Sequence, residues 1–314
     1  MFQKPIYTSF ALLRTMKRKI NRVGPSTLTV SLPSKWAKTL GLKAGDEIEV
    51  EERANHLVIG TQRSAPKREI TIPIESPEHF LKRFLVIPYV KGYDSIKIIY
   101  QDPKIYTLVQ ETMNKMLLGF EIIHHGKNEC ILKNIAESID NEYDNNERKY
   151  FLHIKQIVEH LVNAVKDKDM QEIEHLLLLD ATVDKLCHFM RRILNTKGHK
   201  DESKGKSRYY INNLLETISD RCRDIAIHIK STSQFPPAGY VELLELTKKN
   251  IELLYDMFYN YNIEKILELK QRNLVIQKRI IEEYSKTKQI DFLYYHYLLS
   301  IAELTHNLSE DIGL

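Results

Sequence analysis

From about residue 135 to 314 the chain carries almost no glycine, and its apolar residues recur at intervals of three and four. A stretch of that length and period folds as α-helix packed on α-helix. Six helical segments are predicted, at 145–166, 170–195, 207–230, 239–259, 263–286 and 289–312. The separators are 167–169, the charged loop 196–206, Gln234-Phe235-Pro236-Pro237, 260–262 and 287–288. Such short links imply antiparallel neighbours in a bundle. Three helices followed by three of similar length suggest an internal duplication. Asp180 then aligns with Asn273, 93 residues on, and Asp220 with Glu303, 83 residues on. The difference is about the excess length of the 196–206 loop.

The other end of the chain has a different texture. Residues 21–46 read NRVGPSTLTVSLPSKWAKTLGLKAGD. Leu28, Val30 and Leu32 alternate with Thr27, Thr29 and Ser31, the period of a half-buried strand. Gly24-Pro25-Ser26 before it is turn chemistry. Pro33-Ser34 ends the strand, Ser34 is placed to cap a short helix at 35–40, and Gly41 to close it. Lys43 to Asp46 forms another turn before a second alternating run, 47–51. A segment this short buries little apolar surface alone. It must dock on the rest of the chain or pair with a second copy of itself.

Between the two lies a region to about residue 134 with the order β-α-β-α-β-β. Its strands are predicted at 69–74, 95–100, 120–124 and 130–132, and its helices at 77–90 and 103–119. That order suits a small α/β sandwich. Pro88 should kink the first helix. His124-His125 are adjacent in a strand and so point to opposite faces, which argues against a ligand pair. Residues 62–67 form a polar linker, and 1–15 an arm or a short helix. Three domains are expected, at 1–63, 64–139 and 140–314, a multidomain α+β chain.

Charge matters here by its placement. The formal net charge is only +4. Yet residues 16–38 hold six cations, Lys17, Arg18, Lys19, Arg22, Lys35 and Lys38, and no acid. Such a local excess attracts phosphate backbones. Alternation places Arg18 and Arg22 on one strand face, Lys17 and Lys19 on the other. Trp36 is expected to pack. Cys130, Cys187 and Cys222 are far apart with no metal-ligand spacing, as in a reducing compartment. No apolar run has the length of a membrane span, and the first residues lack the plan of a signal peptide. The expectation is a cytoplasmic protein without membrane insertion. A Gly-rich phosphate loop, an arguable Ser/His/Asp order and a paired Cys/His motif are all missing, so catalytic residues are not expected and the chain reads as a non-enzyme.

The bundle carries two acidic rows. Glu216, Asp220 and Asp224 are four apart, opposite the apolar face formed by Leu214, Leu215, Ile218, Cys222, Ile225, Ala226 and Ile229. Asp180, Asp184 and His188 are four apart on the preceding helix, flanking its apolar stripe. Like charges at this spacing repel by a few tenths of a kcal/mol per pair, roughly, so something must offset them. If the two helices pack side by side, the carboxylates and the imidazole make a site for Mg, Mn, Fe or Zn. The other reading is a solvated acidic face neutralised by Arg191, Arg221 and Arg223.

The run SLPSKWAKTLGLKAGDEIEVEE, within a match spanning roughly 17–60, resembles the AbrB/MazE/SpoVT swapped-hairpin DNA-binding domains. The resemblance implies a small barrel interleaved from two chains, hence a homodimer that contacts double-stranded DNA. Pro25-Ser26-Thr27 follow the turn glycine where many members carry an arginine. LLETISDRCRDIAIHI looks like the third-helix signature of the PhoU phosphate-signalling regulators, and DATVDKLCHFMRRIL resembles their second-helix motif. That likeness implies two three-helix repeats and surface metal clusters at the acidic motifs. In the second repeat Asn273 and Gln277, then Leu299, Glu303 and Asn307, stand at the acidic positions, so one site is expected, in the first repeat. Over its whole length the chain looks similar to archaeal proteins that join these two parts through an α/β region. The resemblances together imply a dimeric transcriptional regulator of phosphate or metal homeostasis. The alternative is a signalling adaptor for a phosphate transporter or sensor, in which the N-terminal part only dimerises.

Overall fold

The computed structural model describes residues 16–53, 56–61, 67–135, 143–286 and 292–312. The arm at 1–15 and most of the linker at 62–67 lie outside them. Two compact units divide the chain, Met1–Lys67 and Arg68–Leu314.

The first unit consists of two hairpins around a short helix. Strand β1 (Ile20–Val23) pairs antiparallel with β2 (Thr27–Val30), Ile20 opposite Val30. Gly24 turns the chain between them with φ +76, a backbone region that favours glycine. Helix α1 (Ser34–Thr39) begins one residue earlier than its spacing predicts, with Pro33 rather than Ser34 at the cap and no side-chain capping bond. After Gly41 the Asp46 carboxylate accepts from the Lys43 amide at 2.7 Å and fixes the next turn. Strands β3 (Glu49–Arg53) and β4 (His56–Gly60) form the second hairpin, a sheet separate from the first. Among the described residues neither hairpin has a core. Ile20, Leu28 and Leu57 are 68%, 62% and 61% exposed, respectively, and Val23, Val30 and Val50 are exposed as well.

The second unit opens with a four-stranded sheet of order β5-β6-β8-β7. Strand β5 (Glu69–Ile74) runs parallel to β6 (Ser95–Tyr100), and β7 (Phe120–His125) and β8 (Glu129–Asn134) close it antiparallel. Pro73 lies on the edge strand β5, where a missing N–H costs least. Ile96, Ile98 and Tyr100 are buried on one face of β6, whereas Lys97 is paired with Glu129 at 2.7 Å on the more open face. One helix differs from the predicted 77–90. A 3-10 turn spans Pro77–His79, Phe80 is extended, and α2 (Arg83–Val90) starts afresh. Proline at the head of the turn is favourable, but the Phe80 backbone at ψ 121 cannot continue a helix. Helix α3 (Lys104–Met116) follows β6.

The remainder is helical: α4 (Tyr143–Asp167), α5 (Met170–Thr196), α6 (Gly205–Thr232), α7 (Ala238–Tyr259), α8 (Ile263–Lys286) and α9 (Phe292–Asp311). Helices α4, α5 and α6 pack as one triplet, α7, α8 and α9 as another, and the triplets join through α4 on α7 and α6 on α9. One apolar core runs through both. Asp169 caps α5, accepting from the Gln171 amide at 2.8 Å and the Glu172 amide at 3.4 Å. The three cysteines are free and buried. Among the described residues no helix is long and apolar enough to cross a membrane.

Helix α5 also carries the α/β layer. Its Arg192 reaches out of the bundle and donates to the carbonyls of Tyr89 and Tyr93, both at 2.8 Å. The same guanidinium lies over the Tyr89 and Phe120 rings and 3.4 Å from Asp94. Asn195 donates to the Val90 carbonyl and Lys185 to the Asn114 carbonyl. Gly92, with φ +82, sits so close that a methyl group there would collide with the Thr196 side chain.

Candidate functional site

The six N-terminal cations are all exposed. Only Arg22 lies on a strand. Lys17, Arg18 and Lys19 precede β1, which corrects the expectation that all four share it. The reason is the partner. Beyond Val30 the chain leaves β2 and turns through Pro33 into α1, so among the described residues no strand pairs with those before Ile20. The two-face alternation predicted for these four residues therefore does not apply. Lys35 and Lys38 are on α1, with Trp36 partly buried beside them.

In the bundle α5 packs along α6 and brings the two acidic rows together. Asp180, Asp184 and Asp220 each offer an oxygen, and these three lie within 4.8 Å of one another. Asp180 is buried and accepts from the Ser219 hydroxyl at 2.8 Å. Arg223 donates to Asp180 at 3.2 Å and to Asp220, and stands 3.6 Å from Asp224. Arg221 holds Asp224 at 2.7 Å. Arg191, one of the arginines expected to neutralise the acidic face, lies 3.8 Å from Glu216 on the facing helix rather than beside Asp184 on its own. The reason is direction: Arg191 reaches across to α6, where it also donates to Asn213.

The carboxylates strain against one another. Burial, then the charges of Asp180, Glu216 and Asp220, push Asp184 up to about 7, with Arg223 opposing. Glu216 and Asp220 are raised as well, by burial first. Arg223 is held further above its usual range by the carboxylates around it, against its own burial. The donor set at the centre is all oxygen, which suits a hard cation that keeps several waters. His188 is not part of it. It is buried, its backbone-facing contact is Met116 on α3, and burial pushes it down to about 4.

The second repeat shows the same geometry without the charge. Asn273 is buried at the position aligned with Asp180 and donates to the Ala302 carbonyl at 3.0 Å. Ala302 stands 83 residues after Ser219, the partner of Asp180. Asn250 donates to Asn273 at 2.7 Å. Lys270, Gln277, Glu303, His306 and Asn307 line a shallow depression of about 180 Å³ over it. Amides stand here where the first repeat has carboxyl groups.

His124 and His125 do not converge. His125 stacks on Tyr106 at 3.8 Å, and His124 lies 3.6 Å from Glu129. A bulge between Ile122 and His124 interrupts the alternation there. Sequence reasoning did not single out Ser219, whose hydroxyl orients Asp180, or Arg192. A serine next to an acid and an arginine within a helix carry no periodic signal.

Residues 22–74 match the family described as "Antidote-toxin recognition MazE, bacterial antitoxin". The match runs from the second half of β1 through β2, α1, the second hairpin and β5. No curated protein matches the chain. Among solved structures the chain is similar to the phosphate transport system regulatory protein PhoU from Streptococcus pneumoniae, with 16% identity and a TM-score of 0.45 over 55% of this chain and 93% of that one. It is also similar to a PhoU-like protein from Shewanella oneidensis MR-1, with 13% identity and a TM-score of 0.38 over 54% of this chain and 94% of that one.

Proposed function

We propose that the chain is a dimeric, DNA-binding transcriptional regulator of phosphate or metal homeostasis, whose bundle binds a metal ion or a partner. The observation that carries this reading is the N-terminal unit. Among the described residues its apolar side chains build no core, its segment matches the MazE family, and six exposed cations sit on it without an acid between residues 16 and 38. A second copy would cover the apolar faces and double the positive patch, and phosphate contacts of that kind supply most of the affinity for a duplex. The acidic site supports the sensing role: Asp180, Asp184 and Asp220 fit Mg, Mn or Fe through oxygen, and Arg223 competes with such an ion for the same carboxylates. With His188 elsewhere, nitrogen ligation is not offered there. Bound metal would supply positive charge, and the chain's part is to orient the oxygens through Ser219.

The adaptor reading draws on one feature, Pro25-Ser26-Thr27 at the place where an arginine would contact DNA. Binding to duplex DNA as a function of salt separates the two. A regulator binds at moderate salt, and Arg18→Ala/Arg22→Ala flattens the dependence of log K on log salt by about 0.9 for each phosphate left without its cation. An adaptor binds no duplex at moderate salt. For the sensing role, the purified protein should lose Mn or Fe on Asp180→Asn/Asp220→Asn; equal metal in both overturns it.

A further inference from the structure

A second cluster of ligand-type side chains lies where α4 meets α5, away from the acidic motifs that α5 shares with α6. The link between α4 and α5 is two residues long, with Lys168 in the left-handed region at φ 52. This tight turn lays the end of α4 against the start of α5. His160 on α4 thereby meets Glu172 in the first turn of α5, its Nδ1 2.6 Å from the Glu172 Oε2. His175 follows Glu172 by three residues, so the two share a helix face. The rings of His160 and His175 lie 4.7 Å apart at 52°, too tilted to stack. One ligand atom from each of the three residues falls within a 4.8 Å group.

We propose that His160, Glu172 and His175 form a binding site for a borderline divalent transition metal, with Zn²⁺ as its first occupant. Two imidazole nitrogens and one carboxylate oxygen are a common protein contribution to such an ion, and they leave a fourth position open. The set differs in kind from the all-oxygen cluster at Asp180, Asp184 and Asp220, so the two sites sort metals by donor type. Tetrahedral bonds of about 2.0–2.1 Å put donor atoms roughly 3.4 Å apart. The 2.6 Å contact of His160 with Glu172 therefore widens by less than its own hydrogen-bond length, and His175 moves inward. His175 is exposed and His160 and Glu172 are half-buried, so a side-chain rotation is enough and water reaches the open position. The histidines must be neutral to ligate, and each gives up at most a hydrogen bond to do so. Along the axis of α5, His175 lies about 7.5 Å and Glu172 about 12 Å from Asp180, at about 1.5 Å per residue.

The test uses the full chain, stripped of metal with a chelator and titrated with Zn²⁺ against a chromophoric competitor. The set comprises wild type, His160→Asn, His175→Asn and Asp184→Asn/Asp220→Asn. Wild type should take up one tight Zn²⁺, each histidine variant should bind it more than about a hundredfold more weakly, beyond what the loss of an outer-shell partner costs, and the aspartate variant should keep it. Co²⁺ in place of Zn²⁺ should give visible bands of four-coordinate type that vanish in His175→Asn. Because His175 is exposed, that variant should melt like wild type in the absence of metal. Zn²⁺ affinity unchanged in His175→Asn, no tight Zn²⁺ in wild type, or a loss confined to the aspartate variant would each overturn the assignment.

Discussion

At the scale of single residues, the bundle holds its buried charges in two ways. The Asp180 group is neutralised by an arginine. Glu147 on α4 has an arginine too, Arg208 at 3.5 Å, and accepts from the Tyr143 hydroxyl at 2.9 Å. It is nevertheless only 4% exposed, and burial outweighs both partners, raising its carboxyl to about 7. Tyr143 is in turn bonded by Asn212, and Tyr150 donates to the Asn212 carbonyl, so the network ties α4 to α6. A carboxyl whose folded pKa is raised binds its proton more tightly when folded. Its contribution to stability is complete below the unfolded pKa and is lost as pH rises through the folded one. The window here runs from 4.5 to about 7. Glu147→Gln keeps the shape and the hydrogen bond from Tyr143 but does not titrate. Urea unfolding of the two proteins at pH 5 and pH 8 should show wild type losing ground to Glu147→Gln as pH rises, by about 3 kcal/mol at most. A difference that is flat across this range would mean that Arg208 holds the carboxylate ionised throughout.

At the scale of elements, α5 does more than its periodicity predicts. Its apolar stripe buries Val183, Phe189, Met190 and Ile193 in the core, as the spacing of those residues requires. Its polar side carries Asp180 and Asp184 to α6 and Lys185, Arg192 and Asn195 to the α/β layer. Arg192 is 5% exposed and makes the most of these contacts. Arg192→Met fills similar space but withdraws a donor from the carbonyls of Tyr89 and Tyr93 and a cation from two rings. Unfolding in denaturant should cost about 2–4 kcal/mol, the range for breaking a buried charged hydrogen-bond set. A loss below about 1 kcal/mol would show that apolar packing of α2 and α3 on α5 holds the layers together instead. The contrast shows what a sequence makes legible. Six helices could be read because each buries one broad face, and a face repeats. The meeting of Asp180 with Asp220 followed from two such faces being adjacent. Arg192 and the His160–Glu172–His175 group could not be read, because each depends on where a different element ends up in space. The break at Phe80 was missed for a related reason: Ser76-Pro77 signals a helix start, but nothing local says that the start lasts one turn.

At the scale of the whole molecule, the two compact units differ in what holds them. Residues 68–314 contain two apolar clusters, one under the sheet and one through both helix triplets, built from side chains such as Tyr89, Ile98, Phe151 and Leu298 that are wholly buried. The described residues of the first unit form two hairpins of four or five residues per strand, and a two-stranded hairpin is marginal in water by itself. If a second copy supplies the missing cover, the stability of this unit depends on mass action, because a partner that binds only the folded form shifts its apparent stability with concentration. The unit built around α5 carries no such requirement. Thermal unfolding of the full chain should therefore show a transition that moves up as protein concentration rises tenfold, assigned to the N-terminal unit, beside one that stays still. Leu28→Lys/Val30→Lys places charge on the exposed apolar face of β2, where in one chain it costs almost nothing and in an interleaved pair it is buried. That variant should sediment as a monomer, lose the concentration-dependent transition and leave the other in place. A monomeric wild type, or a first transition indifferent to concentration, would mean that the hairpins find their cover on something other than a copy of this chain.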